Sequence, residues 1–280
     1  MLSEYTINDV AYDLIYEGYV YLENNLFSQA ATNFIEAYNM YPPMFDLDYF
    51  LEINFINDEQ IINLDNAMQD ALKIDSTLFP TNFYSSLLNY KSENYELALS
   101  YIEDYLEKQN TDIVAWQLKG LIFIEQEEWE NAIFSFSFAR LLNEDNFYSN
   151  FYLGVSLLGF EEYNDANYIF KRALMVKPNH KKSNFYLGLS SLFSEDYKNA
   201  IKELKNALLL DSSNKDIYYF LGNAYKNNNQ HKQALESFNT CISLDPKYSK
   251  AYYELGQIYE IIFEFDSAIQ VYELTVQLID

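Results

Sequence analysis

Apolar, small and polar positions recur along this chain with a period of 34 residues. In each unit, two helical patterns of apolar residues flank a short polar turn, such as Glu161-Glu162-Tyr163-Asn164. The glycine column is Gly18, Gly120, Gly154, Gly188, Gly222 and Gly256. The alanine column is Ala30, Ala98, Ala132, Ala166, Ala200, Ala234 and Ala268, broken at Leu64. Self-similarity at this period predicts a repeat protein in which each unit buries its apolar face against its neighbours.

The period divides the chain into a lead-in, residues 1–10, and a single array of repeats, residues 11–280. Repeats 1 to 8 start at 11, 45, 79, 113, 147, 181, 215 and 249. The polar turns are rich in Asn and Asp, whose side chains hydrogen-bond the local backbone. Pro42, Pro178 and Pro246 fall just after the second helix, where proline ends a helix at little cost. Each repeat is therefore predicted to be a helix–turn–helix hairpin, and the fold class all-α.

The small residues predict close packing inside each hairpin. A glycine inside a helix costs about 1 kcal/mol relative to alanine, so six of them need an offsetting contact. We expect Gly154 to let the first helix approach the second at Ala166. Phe170 and Ala173 lie on the same face as Ala166, so that large and small side chains interdigitate.

Several repeats resemble the tetratricopeptide repeat family. Its pattern of an aromatic residue, Leu-Gly and Tyr is met by Tyr218, Leu221-Gly222 and Tyr225, and again by Tyr252, Leu255-Gly256 and Tyr259. Ala30, Phe34, Ala37 and Pro42 fill the later places of repeat 1. The resemblance covers residues 11–280 and implies a right-handed superhelical solenoid of about eight repeats.

Repeats 2 and 3 depart from the pattern. Glu52 and Ser86 stand at the glycine place, and Phe79-Pro80 interrupts the chain where a helix should start. We expect both repeats to form hairpins, with a local change in helix crossing.

The C-terminal repeat is the other departure. The family often has a further polar helix that covers the last repeat, whereas this sequence stops at Asp280. The last helix is therefore expected either to be unusually exposed or to pack against a second subunit or another partner. In the second case Val271, Leu274 and Leu278 are the candidate interface residues, and a homo-oligomer through this repeat is one form of it.

Charge and composition narrow the choice of partner. The formal net charge is −24, which disfavours nucleic acid and an anionic membrane as partners. Residues 1–112 carry three lysines against 20 acidic residues, a balance of −17. Residues 171–250 carry 13 basic against 7 acidic residues, a balance of +6, so this segment either is an ordinary solvated surface or faces an acidic partner. The lone Cys241 and the absence of a secretory signal favour a cytoplasmic location.

The sequence has no catalytic or metal-binding constellation. His180 and His231 lie in predicted turns, where solvent exposure is the ordinary outcome. The run Glu125-Gln126-Glu127-Glu128 lacks the glycine-turned loop of a calcium site. We therefore expect no enzymatic activity, no metal and no cofactor.

The resemblance implies that the second, fifth, ninth and twelfth places of each repeat line a concave groove. The candidate groove residues are Phe151, Lys182, Phe185, Tyr219, Asn223, Lys226, Lys250 and Tyr253. An acidic or C-terminal peptide is expected to place its charge near the lysines and its apolar side chains over Phe185 and Tyr219. The clamp that grips chaperone C-termini in this family needs Lys where Tyr219 stands, so that mode is not expected.

Two functions remain open at this point. The first is a protein-interaction scaffold that binds a peptide or an amphipathic helix in the groove. The alternative is a structural or regulatory subunit that assembles through its C-terminal helix or convex face. Both require a protein partner and neither uses nucleic acid or a membrane.

Overall fold

The computed structural model describes residues 4–40, 58–74 and 81–279, which form fifteen α-helices and no β-strand. The all-α prediction is therefore confirmed. The chain divides into two compact units, Met1–Glu144 and Asp145–Asp280, and this division falls within two residues of the boundary between repeats 4 and 5. Each unit is a stack of helical hairpins in which consecutive helices pack against one another.

The first unit contains seven described helices. They are α1 (Glu4–Glu23), α2 (Phe27–Met40), α3 (Asp58–Ile74), α4 (Thr81–Lys91), α5 (Tyr95–Lys108), α6 (Ile113–Glu125) and α7 (Trp129–Leu142). The helix α1 runs through most of the predicted lead-in. The helices α4 and α5 form the expected hairpin of repeat 3, whereas Glu52 and Phe79-Pro80 lie outside the described residues.

The second unit contains eight helices in four regular hairpins. They are α8 (Phe147–Gly159), α9 (Tyr163–Val176), α10 (Lys181–Phe193), α11 (Tyr197–Leu210), α12 (Lys215–Asn227), α13 (His231–Leu244), α14 (Ser249–Ile261) and α15 (Phe265–Ile279). The first helix of each hairpin begins at the residue where the 34-residue period places the start of its repeat. The polar side chains of Asn146 and Asn214 cap α8 and α12 by accepting hydrogen bonds from backbone N–H groups.

The glycine column allows the two helices of a hairpin to touch. A Cβ added to Gly154 would lie 2.7 Å from Cε1 of Phe170, and one added to Gly222 would lie 2.6 Å from Cε1 of Phe238. Both rings are fully buried. The close approach predicted at Gly154 is confirmed, and the group that fills the space is the ring of Phe170.

The two helices of repeat 3 also pack closely, although the repeat has serine instead of glycine at this place. Ser86 stands at the glycine place and is fully buried, and its hydroxyl donates a hydrogen bond of 2.7 Å to the carbonyl of Ala98. The residue sixteen positions later is Ile102, which replaces the ring found there in most other repeats. A smaller partner thus leaves room for the Cβ and hydroxyl of Ser86.

A left-handed residue closes each described turn between the two helices of a hairpin. These residues have φ between 56° and 67° and are spaced by the repeat period: Asn25, Glu93, Glu127, Glu161, Glu195, Asn229 and Phe263. The amide of Glu162, the residue after Glu161, donates to the carbonyl of Leu157, a bond that satisfies the end of α8. Only two of the seven are Asn and none is Gly, although these are the residues that adopt this conformation most easily.

Candidate functional site

The structure gathers three of the predicted groove residues around one cavity in repeats 7 and 8. The cavity has a volume of about 210 Å³ and is lined by Tyr219, Ser249, Lys250, Tyr253, Glu254 and Thr275. The helix α12 supplies Tyr219, α14 supplies the next four residues, and α15 supplies Thr275. Side chains of the first helices thus form most of the wall of this cavity.

Two tyrosines give the cavity its aromatic surface. The ring of Tyr219 is half-buried, 5.2 Å from the ring of Tyr248 and 6.0 Å from that of Phe238. Burial raises the pKa of the Tyr219 hydroxyl, which also shares a hydrogen bond with Asn223. Tyr253 is half-exposed, and its ring lies 5.8 Å from that of Tyr272. Tyr219 is therefore held in place, whereas Tyr253 presents a face to solvent.

Of the three lysines predicted for this end of the groove, Lys226 and Lys250 lie in repeats 7 and 8 and have different environments. Lys226 forms an ion pair with Glu254, and both side chains are mostly buried. Its ammonium group also donates a hydrogen bond of 2.8 Å to Oε1 of Gln257. Lys250 is exposed and makes no ion pair with any residue that the structure describes. The charge of Lys226 is thus neutralised inside the protein, and Lys250 is the cation that lines the cavity.

The remaining groove residues lie in repeats 5 and 6. Phe151 is buried, and its ring stacks against Phe147 at 6.0 Å and lies 5.1 Å from the ring of His180. Phe185 is half-buried between the rings of Tyr186 and Phe220, at 5.7 and 5.8 Å. Both phenylalanines therefore contribute mainly to packing, whereas Lys182 is exposed at the start of α10.

Both histidines are partly buried, although both were predicted to lie in turns. His180 is half-buried and caps α10, because its Nδ1 accepts a hydrogen bond of 3.1 Å from the amide of Ser183. His231 is the first residue of α13 and is also partly buried. The expectation of ordinary solvent exposure was wrong for both, since each is partly buried, and of the two only His180 is a helix cap.

Three lining residues were missing from the sequence-based site: Ser249, Glu254 and Thr275. Glu254 is detectable in principle, since it occupies the sixth place of repeat 8 and faces a lysine at the twelfth place of repeat 7. Thr275 stands at an apolar place of α15, where its hydroxyl donates a hydrogen bond of 2.8 Å to the carbonyl of Val271. Nothing in its column distinguishes it from a core position.

The predicted C-terminal interface is partly covered by its own hairpin. Val271 packs against the core of the second unit, and Leu278 is also half-buried. Leu274 is exposed on α15. The most exposed aliphatic side chains of this helix are instead Ile269 and Val276.

Cys241 lies in the core of repeat 7 and is fully buried. Burial raises the pKa of its thiol to about 12, with smaller contributions from the carboxylates of Asp216 and Asp245. The reactive thiolate is therefore strongly disfavoured in the folded chain.

The described residues lack both a metal-binding cluster and a membrane-spanning helix. No group of three or more His, Cys, Asp or Glu side chains in residues 4–40, 58–74 and 81–279 is arranged to hold a metal ion. Within the same residues, no helix is both long enough and apolar enough to span a bilayer.

Helical hairpins repeated at a fixed period, with a lined cavity on their first helices, define an α-helical repeat protein. The tetratricopeptide repeat family matches residues 216–248 and again residues 249–278. Repeats 7 and 8 of the chain therefore match the tetratricopeptide repeat family.

Solved structures agree on the fold. YrrB, a TPR protein with an unusual peptide-binding site, aligns with a TM-score of 0.61 and 20% identity over 67% of this chain and 96% of its own. A crystal structure of MamA aligns with a TM-score of 0.54 and 23% identity over 57% of this chain and 93% of its own. MamA from Desulfovibrio magneticus RS-1 aligns with a TM-score of 0.57 and 20% identity, covering 59% and 94% of the two chains. No curated protein matches the sequence.

Proposed function

We propose that the chain is a protein-interaction scaffold that holds a peptide or an amphipathic helix on the first helices of repeats 7 and 8. The observation that carries the proposal is the cavity between Tyr219, Lys250 and Tyr253. Tetratricopeptide repeats serve in general as interaction modules, and YrrB is a relative in fold that has a peptide-binding site.

The size of the cavity favours a peptide over a small-molecule ligand. Sites for small molecules usually measure roughly 300–1,000 Å³ and bury most of the ligand. A volume of about 210 Å³ suits one large apolar side chain, with the rest of the ligand lying along the groove. The exposed ring of Tyr253 would cover that side chain, and Tyr219 would form the floor.

The charges at the cavity favour an acidic residue beside the apolar anchor. Lys250 is free of ion pairs in the described structure, whereas the Lys226 charge is already matched by Glu254. A carboxylate of the ligand would therefore pair with Lys250, and Lys182 is a second exposed cation on the first helices. The hypothesis that Lys226 itself binds the ligand charge is set aside, because that contact would have to break the pair with Glu254.

The test is a pull-down from a lysate of the source cells, read by mass spectrometry, with the wild-type chain and two variants. Tyr253→Glu changes an exposed side chain at the cavity, and Tyr16→Glu is the matched control on α1, also exposed. Circular dichroism first establishes that both variants fold. Partners lost only from Tyr253→Glu are the expected result, and the segment responsible is then measured as a labelled peptide. Partners retained by both variants would contradict the groove proposal.

A second candidate function, assembly through the last helix, is favoured by one observation. Ile269 and Val276 are 56% and 60% exposed, yet they occupy the places that Leu235 and Ile242 fill on α13, where both are partly buried. Light scattering after size exclusion would test it at micromolar concentration. A dimer that becomes monomeric in Ile269→Ser with Val276→Ser supports assembly, and a monomeric wild-type chain contradicts it.

A further inference from the structure

The second helices of repeats 5 and 6 carry matching rows of exposed residues. On α9 the row is Asn164, Tyr168, Lys171 and Met175, and on α11 it is Lys198, Lys202, Lys205 and Leu209. Within each helix the spacing is four, three and four residues, which places the row on one face. The two rows occupy the same four places of their repeats, and all eight residues are exposed. We call this surface the outer basic patch.

The outer basic patch lies away from the groove. The opposite side of α9 is buried through Ala166, Phe170 and Ala173, and that of α11 through Ala200, Leu204 and Ala207. The first helices α8 and α10, which carry the groove residues of these repeats, pack on the buried sides. A ligand on the patch would therefore leave the cavity of repeats 7 and 8 untouched.

The positive charge of the patch is confined to repeats 5 and 6. It contains four lysines, and Lys171, Lys198 and Lys202 form no ion pair with any described residue. The nearby carboxylate of Glu203 accepts a hydrogen bond from the Ser191 hydroxyl and also interacts electrostatically with Lys171 and Lys202. The same four places hold Lys232, Glu236, Asn239 and Ser243 in repeat 7 and Asp266, Gln270, Glu273 and Gln277 in repeat 8. The positive charge thus ends within two repeats, in a chain whose net charge is −24.

Large apolar side chains are set among these lysines. Tyr168 is 59% exposed, Met175 73% and Leu209 85%. A single exposed apolar residue is ordinary. Here Met175 and Leu209 occupy the same place on successive second helices, both of which pack against α10, and Tyr168 lies two turns before Met175, so the three belong to the same exposed rows as the lysines.

We propose that the outer basic patch is a second docking site, which binds an acidic amphipathic helix of a protein partner. Lys198 and Leu209 are about 16 Å apart along α11, the length of a partner helix of roughly eleven residues. The helices α9 and α11 both pack against α10, so one partner helix would lie across the exposed rows of both. Its carboxylates would pair with the lysines, and its apolar residues would cover Met175 and Leu209.

The shape of the charge favours a short acidic helix over a bilayer or a nucleic acid. An extended anionic surface would approach the acidic remainder of the chain as well as the patch, and the net charge of −24 repels it. A short helix covers only the two repeats that carry the positive charge. The apolar side chains also need an apolar partner face, which a phosphate backbone lacks.

The test uses the full chain and two fluorescein-labelled 18-residue helical peptides in an anisotropy titration at low salt. One peptide has Leu along one face and Glu beside it, and the other has Gln in place of every Glu. We expect the Glu peptide to bind at least tenfold more tightly than the Gln peptide. We expect Lys198→Glu with Lys202→Glu to weaken its binding by at least tenfold, and Leu209→Ser to weaken it severalfold.

Two control variants separate the patch from other surfaces. Lys181→Glu with Lys247→Glu makes the same change in net charge at exposed positions outside the patch and should leave the affinity within twofold. Tyr253→Glu alters the groove and leaves the patch intact, so binding that persists in this variant belongs to the patch, and binding lost in Tyr253→Glu alone would assign the peptide to the groove and overturn the proposal. Equal binding of both peptides, or unaltered binding by Lys198→Glu with Lys202→Glu, would overturn the proposal. Tighter binding to phosphatidylserine vesicles, lost in the same variant, would overturn it in favour of a lipid surface.

Discussion

Lys226 of α12 is paired with Glu254 of α14, across the junction of repeats 7 and 8. Both side chains are mostly buried, and the lysine also donates to Gln257, so the pair ties two hairpins together. A cation that belongs to a ligand site by its sequence position therefore acts within the protein. Lys250, on the same helix as Glu254, is exposed and lines the cavity.

The pair predicts different effects for the two lysines. Lys226→Met leaves the carboxylate of Glu254 without its cation in a mostly buried site, which should lower the free energy of unfolding by about 1–3 kcal/mol. Lys250→Met removes an exposed charge and should change it by less than about 0.5 kcal/mol. Urea denaturation followed by circular dichroism measures both. Equal stability of the two variants would mean that the Lys226 pair contributes nothing.

The contact of Gly154 with Phe170 predicts that alanine is destabilising there, although alanine is the better helix former. The added Cβ would meet the ring at 2.7 Å, a clash that should cost about 1–3 kcal/mol. Gly159→Ala is the control, because Gly159 is an exposed residue of α8 with a negative φ, and it should be neutral or stabilising. Thermal unfolding compares the two variants.

A double variant tests the same contact through the solution found in repeat 3. Gly154→Ser combined with Phe170→Ile reproduces the pairing of Ser86 with Ile102. We expect the double variant to lose less stability than the sum of its two single variants, because the smaller Ile leaves room for the serine. Strict additivity would show that the two positions do not share the space.

The left-handed turn predicts a stabilising substitution. Glu161 has a φ of 67°, a conformation that costs non-glycine residues about 1–2 kcal/mol. Glu161→Gly should therefore raise the free energy of unfolding by a few tenths to about 1 kcal/mol, after the entropy that glycine adds to the unfolded chain. Glu162→Gly is the matched control, since Glu162 has a φ of −83° and gains no relief. Chemical denaturation of both variants is the measurement.

Glu203 predicts a dependence of stability on pH. Burial raises the pKa of its carboxyl, an effect that the hydrogen bond from Ser191 and the charge of Lys171 offset only in part. A raised folded-state pKa means that the folded chain holds this proton more tightly than the unfolded chain does. The resulting stabilisation is complete below the unfolded-state pKa and is lost as the pH rises through the folded-state pKa.

Glu203→Gln should remove this contribution. The variant should be at least as stable as the wild type at pH 7, and its advantage should shrink as the pH falls towards 4. Thermal unfolding between pH 4 and pH 8 provides the comparison. A variant that is less stable at pH 7 by the same amount as at pH 4 would contradict the raised pKa.

The regular part of the chain was predictable because one strong signal repeats. In the second unit the period of 34 residues places the start of every first helix, since each hairpin there has the same length. The period was less informative in the first unit. The helix α1 begins at Glu4, inside the predicted lead-in, and α3 begins at Asp58, three residues before the expected start of the second helix of repeat 2. Neither residue belongs to the glycine or alanine column.

The candidate site was predictable only in outline. The position of a residue within its repeat predicts which face of the helix the residue lies on. That reasoning included Tyr219, Lys250 and Tyr253, which the structure brings to one cavity. The position within the repeat does not predict which neighbouring side chains already cover that face. Phe151 is covered by the neighbouring rings of Phe147 and His180, and the ion-pair partner of Lys226 is Glu254, 28 residues further along the chain. The first fact depends on other side chains of repeat 5, and the second depends on a side chain of the next repeat.

The thiol of Cys241 can be used to measure local unfolding of repeat 7. It is the single cysteine, it is fully buried in repeat 7, and its thiol has a pKa of about 12. A thiol reagent can then label the protein only when this hairpin separates from its neighbours, so the labelling rate counts those openings. A ligand that clamps repeats 7 and 8 would slow the labelling, whereas a ligand on the outer face of repeats 5 and 6 would leave it nearly unchanged.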